Sequence, residues 1–83
     1  MKVRVLFFAS VADAAGTRSL DAELDGRATV ADLRRKLEED RPRLAGRLQK
    51  CAAAVNTVVV SPARALADGD EVAFLPPVSG GAE

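Results

Sequence analysis

The first nine residues alternate between apolar and other side chains, which predicts a β-strand from Met1 to Ala9. One side of this strand is uniformly apolar and should face a core: Val3, Val5 and Phe7. The opposite side begins with charged residues but ends with Leu6 and Phe8. A helix layer covers only one face of a small sheet, so we expect Leu6 and Phe8 to lie on an uncovered face where a partner binds.

Helical spacing appears in the middle of the chain. Thr29 is a predicted N-cap with Asp32 three residues later, as in a capping box, and Pro42 should end the helix near Asp40 or Arg41. The apolar stripe of this helix consists of Val30, Leu33 and Leu37. Leu44 and Leu48 lie four residues apart, which indicates a second short helix.

Short strands account for most of the remaining chain. A connector ended by Gly16 leads to a second strand over 17–24, antiparallel to the first. Residues 51–60 predict one bent strand or a tight hairpin, and 71–75 predict a last strand after the turn at 68–70. This order of elements favours a two-layer α+β fold, with a domain over 1–76 and a flexible tail over 77–83.

Composition excludes several function classes. The 83 residues contain 12 basic and 12 acidic side chains, which gives no basic surplus for nucleic acid or an anionic membrane. We expect a cytoplasmic chain, because no signal peptide or apolar stretch of about 20 residues is visible. With one cysteine and no histidine, neither an internal disulfide nor a usual metal site is expected. Cys51 lies in an apolar stretch and is interpreted as a small hydrophobic residue, not a nucleophile.

The end of the sequence reads Pro76-Pro77-Val78-Ser79-Gly80-Gly81-Ala82-Glu83. Two glycines beyond a rigid Pro-Pro step make a thin segment that fits a channel closed to branched residues. The functional interpretation is a terminus whose carboxylate takes part in chemistry. The alternative is a frayed end, where small-residue tails usually belong.

Four segments in order resemble the sulfur-carrier family of the molybdopterin synthase small subunit. They are Val5-Leu6-Phe7-Phe8-Ala9, Ala54-Val55-Asn56, residues 68–74 (Asp-Gly-Asp-Glu-Val-Ala-Phe) and residues 76–81 (Pro-Pro-Val-Ser-Gly-Gly). The resemblance runs from residue 3 to residue 81. It implies a ubiquitin-like β-grasp, a small mixed sheet with one main helix packed across one face.

The resemblance also implies a mechanism. An E1-like partner that uses ATP adenylates the Gly81 carboxylate, which then becomes a thiocarboxylate and donates sulfur to a pterin precursor in molybdenum cofactor biosynthesis. Gly80 and Gly81 would enter the large synthase subunit. The chain would bind no cofactor and catalyse nothing alone. The expected partner-binding residues are Leu6, Phe8, one of Phe74 and Leu75, Pro76, Pro77 and Val78.

Ala82-Glu83 depart from the family, whose chains usually end at the second glycine. We expect a protease to remove them, since Gly81 otherwise has no free carboxylate. Alternatives remain: a carrier for thiamine, cysteine or tRNA thiolation, a ubiquitin-like modifier joined through Gly81 to a lysine, or a binding module with an inert tail.

Overall fold

A mixed β-sheet with a helix across one face forms the framework in the computed structural model, which describes residues 1–77. The strands are β1 Lys2–Phe7, β2 Ser19–Glu23, β3 Ala52–Val55, β4 Val58–Val60 and β5 Glu71–Leu75. The helices are α1 Ala9–Ala15 and α2 Val30–Asp40, and two 3₁₀ turns span Pro42–Leu44 and Leu48–Lys50. The predicted α+β class and single main helix are confirmed.

The strand order is β2-β1-β5-β3-β4. β1 pairs antiparallel with β2, as predicted, and parallel with β5, where Phe7 lies opposite Phe74. On its other side β5 pairs antiparallel with β3. Because β1 and β5 run in the same direction, Phe8 and Pro76 leave the sheet at the same end.

The main helix begins as its sequence predicts. The Thr29 hydroxyl accepts from the Asp32 amide at 3.3 Å, and the Thr29 amide donates to the Asp32 carboxylate at 2.9 Å. The Asp32 carboxylate accepts from the Thr29 amide and also from the Thr29 hydroxyl at 3.1 Å, and these two hydrogen bonds hold the pKa of Asp32 below its ordinary value. The helix ends at Asp40, before Pro42, and its apolar stripe is buried against the sheet.

The core lies between α2 and the face of the sheet that carries Val3, Val5 and Phe7. The rings of Phe7 and Phe74 stack with their centroids 6.4 Å apart. The other residues of the described core come from every layer: Val11, Ala15, Ala22, Val30, Leu33, Leu37, Leu44, Leu48, Ala53, Val55, Leu66 and Val72.

Two local predictions need correction, and one pair of alternatives is resolved. The first strand ends at Phe7, because Ala9 already starts α1. The predicted helix through Leu44 and Leu48 is instead the two 3₁₀ turns, separated at Gly46, whose φ of +80° interrupts a right-handed helix. Both leucines are nonetheless fully buried. Residues 51–60 form the hairpin alternative, with a two-residue loop at Asn56-Thr57.

Candidate docking surface and the base of the tail

The face of the sheet opposite α2 carries the candidate surface. In the pairing register, Leu6 lies opposite Ser19 of β2 and Ala73 of β5, and Ala73 lies opposite Ala54 of β3. Ala54 in turn lies opposite Val59 of β4. Because paired residues share a face, the side chains from Ser19 to Val59 form one row across the sheet. Leu75 and Ala52 make the next pair toward the end of β5. We call Leu6, Phe8, Ala73, Leu75, Ala52 and Val59 the open apolar surface, whereas Ala54 in the same row is buried.

The opposite end of the same face is charged. Arg4 pairs with Asp21 on one side and Glu71 on the other, and Lys2 pairs with Glu23. The open face is therefore divided, with its charged half at the start of β1 and its apolar half where β1 and β5 end. An apolar patch confined to one end of a sheet is typical of a protein-binding surface.

Phe8 is the most prominent member of this surface. It follows β1 as the N-cap of α1, its backbone is still extended at φ −127° and ψ 150°, and its side chain is 44% exposed. A shallow groove beside it is lined by Leu6, Ala12, Asp13 and Arg18. The predicted exposure of Phe8 is thus confirmed, although the residue lies just beyond the strand.

Phe74 does not belong to the surface. Its side chain is 1% exposed and stacked on Phe7, because alternation along β5 places Val72 and Phe74 toward the core. The assignment of Phe74 to partner binding is wrong. Leu75, the other candidate, is half-buried and lies on the open face.

The base of the tail lies at the apolar end of the sheet. Pro76 is half-buried and Pro77 is exposed, and both follow β5 directly. A cavity of about 190 Å³ lies beside them, between α1 and the 3₁₀ turns, lined by Ser10, Val11, Gly46, Arg47, Lys50 and Cys51. The predicted tail residues Val78, Gly80 and Gly81 lie outside the described residues.

Several known proteins are similar in sequence to this chain over nearly its full length. The model of the ThiS family matches residues 5–81, which reach from β1 to the second glycine. The chain belongs to the ThiS family. The matched range includes the open apolar surface and the Gly-Gly pair.

Individual relatives agree with this assignment. The chain is 46% identical over 81 residues to the molybdopterin synthase sulfur carrier subunit of Escherichia coli, which covers 95% of this chain and 99% of the relative. Small archaeal modifier protein 1 from Haloferax volcanii superposes with a TM-score of 0.88 at 32% identity, covering 98% and 100% of the two chains.

A third similar structure is a complex of subunits 1 and 2 of the molybdopterin-converting factor from Helicobacter pylori. One of its chains matches with a TM-score of 0.70 at 28% identity, covering 98% of this chain and 100% of that one. The fold of this ThiS-family chain is the ubiquitin-like β-grasp predicted from the sequence.

A polar clamp fixes the strand that leads to the tail of this ThiS-family member. The Asp70 carboxylate accepts from the Ala67 amide at 2.8 Å and from the Asn56 side-chain amide at 2.9 Å. The Asn56 side-chain oxygen accepts from the Glu71 amide at 3.0 Å. The hydrogen bonds from the Ala67 amide and the Asn56 side chain lower the pKa of Asp70. The sequence identified residues 68–70 only as a turn, since nothing local to them indicates a partner 14 residues away.

Cys51 lies at the edge of the cavity beside the prolines. Its thiol donates to the Arg47 carbonyl oxygen at 3.4 Å, and partial burial raises the pKa of the thiol above its ordinary value. A protonated thiol at neutral pH agrees with the structural role inferred for it. Among residues 1–77, no cluster of three Cys, His, Asp or Glu side chains is placed to hold a metal ion. None of the helices in this part of the chain is long and apolar enough to cross a membrane.

Proposed function

We propose that this chain is the sulfur carrier subunit of a molybdopterin synthase and carries sulfur as a thiocarboxylate on Gly81. One observation carries the proposal. The open apolar surface and the base of the Gly-Gly tail meet at the same end of the sheet, because β1 and β5 are parallel neighbours. The similarity to a sulfur carrier subunit of that synthase supports the same conclusion.

The proposed chemistry takes place at the C-terminal end of the tail, and the folded domain supplies no reacting group. A Gly81 carboxylate oxygen attacks the α-phosphate of ATP on an E1-like partner, and pyrophosphate leaves. Hydrosulfide from a sulfur-donating partner then attacks the acyl carbon of the adenylate, the bond to AMP breaks, and a thiocarboxylate remains. ATP belongs to that partner, and this chain is a non-catalytic subunit that binds no cofactor. The cytoplasm is the proposed location, where a single reduced cysteine is ordinary.

The short length of the tail requires the folded domain, called the body below, to bind the partner as well. Four residues separate Pro77 from the end of Gly81, and an extended chain spans at most about 3.6 Å per residue, or roughly 14 Å here. The body must therefore bind the large subunit near its active site. The open apolar surface adjoins the tail and is the part of the body proposed to make that contact.

Removal of Ala82 is part of the proposal. In the sequence Gly81 is followed by Ala82, so its carbonyl is an amide without a leaving group. The family match that ends at Gly81 supports cleavage at this bond by a protease. Glycine at the tip also leaves no side chain to obstruct a narrow slot in the adenylating enzyme.

The test compares residues 1–83 with residues 1–81 in ATP–pyrophosphate exchange with the adenylating enzyme of the same organism. We expect exchange with 1–81 and none with 1–83 until a protease is added. Mass spectrometry then follows replacement of one terminal oxygen by sulfur. Equal exchange by both forms, with Glu83 still attached, would contradict the trimming step. No exchange by either would contradict the carrier function.

A second candidate is a protein modifier joined through Gly81 to lysine side chains. The similarity to a small archaeal modifier protein favours it. Protein isolated from its source distinguishes the two functions. Species of higher mass that contain a Gly81–lysine bond would support the modifier, and a free thiocarboxylate would support the carrier.

A further inference from the structure

The segment between α2 and β3 has a charge that differs from the rest of the chain. Residues 41–50 contain four basic side chains and no acidic one, although the whole sequence has equal numbers of each. Arg41 ties its segment to the end of α1, because its guanidinium donates to the Ala15 carbonyl oxygen at 2.7 Å. The other three, Arg43, Arg47 and Lys50, are exposed. We call these three the basic row.

The basic row runs along α1 to the base of the tail. Arg43 and Arg47 line one cavity together with Ser10. Arg47 and Lys50 line the adjoining cavity, again with Ser10 and now with Pro76 and Pro77. The basic row therefore ends at Pro76 and Pro77, the two prolines from which the tail departs.

The backbone under the row is held in place. Leu44 and Leu48 are fully buried beneath the 3₁₀ turns. The Arg47 Nε donates to the Arg43 carbonyl oxygen at 3.2 Å, and the Gly46 amide donates to the Glu38 carboxylate at 3.1 Å. The three cations are thus presented from a fixed base.

The charges of the row are not neutralised within the described part of the chain. No carboxylate of residues 1–77 lies within 4.0 Å of their cationic nitrogens. Among residues 1–77, Asp13 lines the first of these cavities, and the Glu38 carboxylate accepts from the Gly46 amide. Three cations beside these two carboxylates leave a local positive surplus next to the tail, which is complementary to an acidic surface.

We propose that the basic row docks on an acidic rim around the tail channel of the adenylating enzyme. This inference rests on the proposed function. The open apolar surface suits the large subunit, a synthase component. The basic row shares no residue with that surface, so we assign it to the other partner of the proposed function, the adenylating enzyme. Charge pairs at the edge of an interface accelerate association without prolonging the complex.

The experiment removes the three charges in the 1–81 form as Arg43→Gln/Arg47→Gln/Lys50→Gln. The matched control is Arg27→Gln/Arg34→Gln/Lys36→Gln, which changes the net charge equally around α2. Stopped-flow association with the adenylating enzyme is measured at low and high salt, and circular dichroism checks the fold. We expect the basic-row variant to associate about tenfold more slowly at low salt, with a weaker salt dependence and an unchanged dissociation rate.

Each outcome separates this inference from the function on which it rests. Equal association rates for the basic-row variant and the control, with the 1–81 chain still adenylated, would overturn the inference alone. The basic-row variant is also tested for binding to the large subunit and to a single-stranded RNA probe. If it loses affinity for one of these instead of for the adenylating enzyme, the row belongs to a different partner and the inference is overturned. Absence of adenylation of the unaltered 1–81 chain would refute the function itself, and the inference with it.

Discussion

Replacing Phe8 with alanine tests whether the open apolar surface binds the large subunit. An aromatic side chain has about 200 Å² of surface, so an exposure of 44% leaves roughly 90 Å² to be buried by a partner. At about 25 cal/mol per Å², this contact contributes about 2 kcal/mol, or roughly a 30-fold increase in Kd on truncation. The melting temperature should change little, because Phe8 lies outside the core.

Two further variants make the Phe8→Ala result decisive. Val58→Ala is the surface control: Val58 is 60% exposed, but its partner Val55 points to the core, so it lies off the open face. Phe74→Ala is the core control and should cost about 3–5 kcal/mol of stability. Isothermal calorimetry with the large subunit gives Kd. An unchanged Kd for a folded Phe8→Ala chain would refute the docking surface, and unfolding of that variant would show that Phe8 supports the fold.

Three other predictions concern the body. Thr57→Gly should stabilise the chain by about 1 kcal/mol in urea unfolding, since Thr57 has a φ of +75° that glycine adopts without strain; a loss of stability would contradict this. Asp70→Ala should cost about 2 kcal/mol at pH 7. Because the folded pKa of Asp70 is lowered, its contribution is present above pH 3.8 and lost as the pH falls through the folded pKa, so the cost should shrink in acid; a cost independent of pH would argue against the clamp. Cys51→Ala, trimmed to Gly81, should still accept and donate sulfur by mass spectrometry, and a folded variant that transfers none would show that the thiol takes part.

The elements set by local chemistry could be predicted from the sequence. The capping box at Thr29 and the helix end before Pro42 depend on residues three or four positions apart, and both agree with the structure. Alternation likewise placed Val3, Val5 and Phe7 toward the core, and all three are buried. For β5 the prediction left open which of Phe74 and Leu75 faces a partner, and the structure assigns Phe74 to the core.

The features that the sequence did not reveal depend on contacts between distant segments. The clamp from Asn56 to Asp70 joins a hairpin loop to a turn, and no periodicity reports it. The basic row was visible as an acid-free stretch over 41–50, yet its meaning depends on the packing that brings it beside Pro76. The 3₁₀ turns preserve the buried positions of Leu44 and Leu48 without the helix that their spacing suggested.

The central position of β5 has a mechanical consequence for the proposed insertion of the tail into partner proteins. Tension applied at Pro76 acts along β5, which is held by four residue pairs to β1 and four to β3. A load along the strand must shear both ladders at once, whereas edge strand β4 is held by one ladder of three residue pairs. The tail proposed to carry sulfur is therefore attached to the strand of the sheet that resists such a load from both sides.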